Sequence, residues 1–297
     1  MARFGRVLTA MVSPFDERGE LDLDAAVSLA RWLVDQGNEG LVVTGTTGES
    51  PTLSHEEDER LWRAVVQAVS VPVIAGAGNN DTASSIERAK AAESAGAAGI
   101  LAVTPYYNRP SQAGLEAHFG AIAGATTLPV MLYDIPFRTG RKLESATIVR
   151  LADEHSNIVA LKDAAGNVPA TATLMTELPA GFELYSGEDV LNLPLMSIGA
   201  VGLVSVAAHW AAPEMVAMWD AWERGDTAEA LRLDRALRPS YAFESSDAAP
   251  NPVPSKAMMR VLGHAVGEPR LPVGPTPPGL EDEARRVLAE LRGSAPA

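Results

Sequence analysis

The chain is expected to fold as an α/β protein, a (β/α)8 barrel of the TIM type carrying an all-helical C-terminal appendage. Two observations carry that expectation. Short runs rich in β-branched residues alternate with longer helical patterns at a spacing near 30 residues, the mark of repeated strand and helix units around a parallel sheet. Eight such runs can be counted, and with their helices they fill the first 225 residues or so, close to the size of one closed barrel.

In chain order the strands are VLTAMV (7 to 12), GLVVTG (40 to 45), VPVIAG (71 to 76), GILAVT (99 to 104), PVMLYD (129 to 134), IVALKD (158 to 163), FELYSG (182 to 187) and VGLVSV (201 to 206). Between them, LDAAVSLARWLVDQG (23 to 37) repeats its apolar residues at three and four. SHEEDERLWRAVVQAV (54 to 69) opens with a Ser54 cap and has Glu57 three residues on, a capping box. DQGNEGLVV and SAGAAGILA each read as helix, glycine stop and buried strand. A doubly wound open sheet is the competing architecture. It usually shows a Gly-rich phosphate turn after its first strand, and SPFDERGE at that place has no G-x-G-x-x-G. Past residue 225 the pattern is helical only, at about 226 to 243, 253 to 264 and 279 to 292, with a Pro-rich stretch from 269 to 278. Residues 1–225 are therefore read as the catalytic barrel and residues 226–297 as a C-terminal helical region.

Composition narrows the function classes. With 297 residues, 46% of them hydrophobic, the chain can bury a large core. No apolar run reaches the roughly 20 residues needed to cross a bilayer, and the start MARFGRVLTAMVSPF breaks at Ser13-Pro14 where a leader would need a small-residue cleavage site. A cytoplasmic protein with no membrane partner is the reading. A formal charge of −14 repels a phosphate backbone, so no nucleic-acid partner is expected. The chain has no cysteine, which removes disulfides, thiolate metal sites and cysteine nucleophiles. Its five histidines form no H-x-H or H-E-x-x-H spacing, so no metal site is expected.

Among the basic residues 20 are arginine and four are lysine, at 90, 142, 162 and 256. Where charge alone is needed the sequence uses arginine, whereas an amine can lose its proton and attack a carbonyl. In a barrel, chemistry sits at the C-terminal strand ends. There Lys162 closes the run Ile158-Val159-Ala160-Leu161, where burial lowers an amine's pKa; an ordinary ion pair with Asp163 is the bland alternative. Tyr133 closes the preceding strand, at the right level for a proton shuttle. Thr44 to Glu49 (TGTTGE) offers two hydroxyls and backbone amides suited to a small carboxylate. Arg138 could grip a second carboxylate in bidentate fashion, or could simply be a solvated surface residue.

Taken together, GTTGES (45 to 50), TPYYNRPSQ (104 to 112), LYDIPFRTG (132 to 140), ALKDAAGN (160 to 167) and YSGED (185 to 189) resemble the pyruvate-dependent class I aldolase family that includes N-acetylneuraminate lyase. The resemblance runs from about residue 4 to residue 265, through NPVPSKAMMRVLG. It implies that Lys162 forms a Schiff base with pyruvate, and that the enamine adds to L-aspartate 4-semialdehyde, with no cofactor. It also implies that Tyr133 moves protons, relayed by Thr46 and Tyr107; that Thr47 binds the pyruvate carboxylate, with Val204 and Gly187 nearby; and that Arg138 holds the carboxylate of the semialdehyde. A homotetramer, a dimer of dimers in which Tyr107 reaches a neighbour's site, is implied as well. Sister members that act on sialic acid or keto-deoxy sugar acids usually replace the second Thr feature or the arginine, so Thr46-Thr47 with Arg138 favours the semialdehyde. A non-catalytic barrel is opposed by the intact set. Two departures stand out: Asp163-Ala164-Ala165-Gly166 after the lysine, and a bulky Phe137, which bears on the width of the aldehyde pocket.

An effector site for L-lysine is also implied, at Ser50, His55, Asn80 and Tyr106. Asp58 stands where lysine-sensitive members have histidine, and Ser84 where they have glutamate. Inhibition by L-lysine is therefore expected to be weak, with Asp58 available as a substitute carboxylate.

Overall fold

The computed structural model describes residues 2–293, so the last four positions of the C-terminal segment lie outside the described residues. Eight strands close into a barrel in chain order: β1 (Val7–Ala10), β2 (Gly40–Val43), β3 (Val73–Gly76), β4 (Gly99–Val103), β5 (Val130–Asp134), β6 (Ile158–Asp163), β7 (Glu183–Ser186) and β8 (Gly202–Ser205). All pairings are parallel, and β1 pairs with both β2 and β8. Every expected strand is present, most of them trimmed by a residue or two at the ends.

The alternation of side chains along each strand sorts the core into two layers. Leu8, Val42, Ile74, Leu101, Met131 and Ala160 point into the barrel and form one cluster. Their strand neighbours Val7, Leu41, Val43, Val73, Ile100 and Leu161 face outward and pack with the helix ring. Both faces of the sheet are covered, as a parallel sheet requires. The same parity decides which polar residues enter the barrel: Lys162 shares its side with Ala160, and Tyr133 with Met131, whereas Asp163 shares the outward side of Leu161.

The helices begin where the sequence signals them. In the helix His55–Ala68, Ser54 Oγ accepts from the Glu57 amide at 3.2 Å and Glu57 Oε2 accepts from the Ser54 amide at 2.9 Å, an arrangement that contributes about 1 kcal/mol. Two short helices, Pro136–Thr139 and Asn192–Met196, follow β5 and β7. After β8 the helix Ala208–Glu223 packs on β1, and Thr227–Phe243 lies along it. Val253–Val261 and Leu280–Gly293 pack on each other. Between these two helices the chain passes the barrel mouth, where the Phe15 amide donates to Val266 O at 3.1 Å.

Candidate active site

β5 and β6 run in register, with Tyr133 opposite Lys162. Inward parity brings both side chains to the mouth of the barrel, where Lys162 Nζ lies 4.2 Å from the centroid of the Tyr133 ring. A cavity of about 210 Å³ opens above them, lined also by Thr46, Thr47, Arg138 and Gly187. Six residues far apart in the chain therefore meet because each ends a strand or starts the loop after one.

Lys162 is only 5% exposed, and its amine is pulled down to about 8, chiefly by burial, with Asp189 and Glu188 opposing. At neutral pH a useful fraction is then the free base. The ion pair with Asp163 does not form. Asp163 faces outward, takes the Ala165 amide at 2.8 Å and accepts the Thr171 hydroxyl. Among the described residues the other three lysines each hold a carboxylate: Lys90 holds Glu87, Lys142 holds Asp134, and Lys256 holds Glu49. Lys162 has no such partner.

Gly187 explains how so long a side chain fits. A Cβ at that position would stand 2.8 Å from Lys162 Cγ and 3.0 Å from Lys162 Cε, well inside van der Waals contact, so any larger residue displaces the amine.

Three acids that sequence reading left without a role, Glu188, Asp189 and Glu244, border the same cavity. Asp189 accepts from Ser205 Oγ at 2.7 Å, from the Val206 and Ala207 amides at 3.0 Å and from Asn192 Nδ2 at 3.1 Å. Glu244, buried beside it, is held well above the ordinary carboxylate range by burial and then by Asp189. Tyr133 is raised above its usual value, again by burial, and so keeps its proton until a base or an anion takes it.

The turn after β2 is conformationally demanding. Thr44 and Glu49 both adopt left-handed backbone (φ 58° and 57°), as do Tyr107 and Arg109 after β4 (φ 71° and 48°), each at a cost of roughly 1–2 kcal/mol. The result is that Thr46 and Thr47 both face the cavity. Arg138 sits at its rim on the helix Pro136–Thr139 and forms no ion pair among the described residues, so it is free to meet an anion. Phe137 is 94% exposed and belongs to the rim, so it does not narrow the floor. Val204, expected as a backbone contact near pyruvate, packs its side chain in the barrel interior, and Val206, two residues on, lines the cavity. Tyr107 is not brought to Tyr133 within one chain and is 90% exposed. Among the described residues no cluster of three or more His, Asp or Glu side chains is arranged for a metal.

A second cavity, of about 190 Å³, shares Thr46, Tyr133 and Arg138 with the first and is lined by Ser50 and Tyr106. Nearby, His55 Nε2 lies 3.0 Å from Ser84 Oγ, Asn79 Nδ2 donates to Ser84 Oγ at 2.9 Å, and Asn80 Nδ2 donates to Tyr106 O at 3.2 Å. Asp58 corrects an expectation: it is fully buried against Arg88 Nη1 at 2.6 Å, so it offers no substitute carboxylate there. Burial still raises Asp58 to about 7 against the pull of Arg88.

Some of the lining residues that sequence reading missed come from beyond the barrel: Glu244, Ser245 and Asn251 all line the first cavity. Of these only Asn251 carried a signal, the NPVPSK run inside the stretch of resemblance.

Residues 3–291 match the model of the dihydrodipicolinate synthetase family. The proteins named 4-hydroxy-tetrahydrodipicolinate synthase from Moorella thermoacetica and Acidothermus cellulolyticus are each 50% identical over 293 residues, covering 98% of this chain and 98% and 91% of theirs. The crystal structure of DHDPS from Cyanidioschyzon merolae with lysine bound superposes with a TM-score of 0.94 at 42% identity, covering 98% of this chain and 99% of that one.

Proposed function

This chain belongs to the dihydrodipicolinate synthetase family, and on that premise we propose how its residues divide the chemistry. It is a lyase that condenses pyruvate with L-aspartate 4-semialdehyde to give 4-hydroxy-tetrahydrodipicolinate in the diaminopimelate and lysine pathway. The observation that carries the assignment of roles is Lys162 itself: buried, unpaired, held near pKa 8 and 4.2 Å from the Tyr133 ring.

In our reading the Lys162 amine adds to the ketone carbon of pyruvate, and loss of water leaves the imine. Tyr133 passes protons during that loss, then removal of a methyl proton gives the enamine, whose carbon attacks the aldehyde; the amine of the semialdehyde then adds to the imine carbon and expels the Lys162 amine, which closes the ring and frees the enzyme. Thr47 takes the pyruvate carboxylate, Gly187 leaves room for the lysine, and Val204 supports the floor. Arg138 holds the carboxylate of the second substrate. Thr46 borders Tyr133 on the side of the second cavity, and Tyr107, exposed in the single chain, completes the relay from a neighbouring subunit. The active form is then a homotetramer built from such dimers. Its place is the cytoplasm, in keeping with the absence of any described helix long and apolar enough to cross a membrane. L-lysine inhibits weakly or not at all, since Ser84 supplies a hydroxyl where an ammonium needs a charge, a loss of about 1.5–3 kcal/mol.

The test mixes the protein with both substrates and couples the product to a nicotinamide-dependent reductase. Oxidation of the nicotinamide that needs both substrates is expected, and cleavage of a sialic acid in its place would overturn the reading. Arg138→Ala should lower kcat/KM for the semialdehyde by about 2–4 kcal/mol and leave capture of pyruvate intact.

A further inference from the structure

Thr47 is almost fully buried at the cavity wall, and its hydroxyl already has one partner: Asn251 Nδ2 donates to Thr47 Oγ1 at 2.9 Å. Asn251 belongs to the helical region 204 residues further along the chain, and it lines the cavity too. Its amide is oriented from the other side, because the buried Ser255 hydroxyl donates to Asn251 Oδ1 at 3.4 Å. With Oδ1 engaged by a donor, Nδ2 is the atom left to face Thr47.

A threonine hydroxyl has one proton to give and two lone pairs to offer. Among the described residues the Thr47 hydroxyl donates to no acceptor, while one lone pair is occupied by Asn251. We propose that Asn251 is a positioning residue, which fixes the Thr47 hydroxyl as a donor aimed at the carboxylate of the keto acid. Accepting a hydrogen bond also polarises the hydroxyl and strengthens the one it gives. The inference rests on the reading of Thr47 as the carboxylate site.

The helix that follows Asn251, Val253–Val261, steadies the far end of the turn. Lys256, five residues past Asn251, holds Glu49 Oε1 at 2.7 Å, and the Arg270 amide donates to Glu49 Oε2 at 2.7 Å. Both cations lie against the Phe15 ring, with Lys256 Nζ 4.0 Å and Arg270 Cζ 4.2 Å from its centroid. The C-terminal helices therefore set both ends of the Thr47 to Glu49 segment, one by a directional amide and one by a buried ion pair.

Asn251→Asp tests the claim, because it keeps the shape and reverses the hydrogen bond. An aspartate can only accept, so it takes the Thr47 proton for itself and adds a negative charge beside the substrate's. The expected result is a rise in the half-saturating concentration of pyruvate, in both turnover and borohydride trapping, of roughly 30-fold or more for Asn251→Asp and about 5-fold for Asn251→Ala. kcat should stay within about threefold and the thermal midpoint should move similarly in the two variants. Ser255→Ala, which frees the amide to turn, should raise the same constant about twofold and serves if the Asn251 variants fail to fold. In a Thr47→Val background, Asn251→Ala should add less than about twofold. If Thr47→Val raises the constant and Asn251→Asp behaves as Asn251→Ala or as wild type, the inference is overturned and the carboxylate reading stands. If Thr47→Val itself changes nothing, the carboxylate reading falls first.

Discussion

Two buried lysines, Lys162 at the end of β6 and Lys256 in the helix Val253–Val261, share a property and differ in use. Burial pulls both down to about 8. Lys256 is fully enclosed, 2.7 Å from Glu49 and 3.2 Å from Glu268 O, with the Phe15 ring over its amine. Lys162 has no carboxylate in contact and opens onto a cavity lined by hydroxyls and an unpaired arginine. A depressed pKa is thus common to a structural and a reactive amine. What separates them is the absence of a partner and the presence of a space for a carbonyl.

The largest effect expected from breaking that contrast is at Lys162. Lys162→Arg keeps a cation and removes the nucleophile, so turnover should fall by about 10⁴-fold or more, read in the coupled assay. Residual activity within about tenfold of wild type would place the nucleophile elsewhere.

At Lys256 the loss should be one of stability. Lys256→Met leaves Glu49 buried without its cation, a change on the order of 3–5 kcal/mol, visible as a lower midpoint in denaturant. Adding Glu49→Gln should recover part of it. A single variant as stable as wild type would mean that the pair contributes nothing net.

A smaller effect sharpens the geometry. Gly187→Ala puts a methyl group 2.8 Å from Lys162 Cγ and should lower kcat/KM for pyruvate roughly 10- to 100-fold, with little change in thermal midpoint. Equal loss of stability and activity would make Gly187 a packing residue only.

Much of this was legible in the chain. Alternation along VMLYD and IVALKD places Tyr133 and Lys162 inside the barrel and Asp163 outside, and the register of β5 with β6 follows from neighbouring βα units. The TGTTGE turn announces its hydroxyls. Asn251 and Glu244 were not legible as site residues, because no local pattern reports that a helix after the barrel folds back over its mouth. Asp58 was misread for a related reason: a charged residue in the helix His55–Ala68 looks solvated until the packing shows Arg88 over it.

The contrast between the two lysines is tested most directly by reducing the imine in place. The protein is incubated with pyruvate and borohydride at pH values from 6 to 9 (about the window around a pKa near 8), and the four lysine peptides are mapped by mass spectrometry. Below pH 8 most of the amine is protonated and only the free-base fraction attacks, so labelling should rise toward about tenfold per pH unit at the acid end and level off above about 8. The account predicts the added pyruvyl group on Lys162 with this profile and none on Lys256. A label on Lys256, Lys90 or Lys142, or none on Lys162 at any pH, would contradict it.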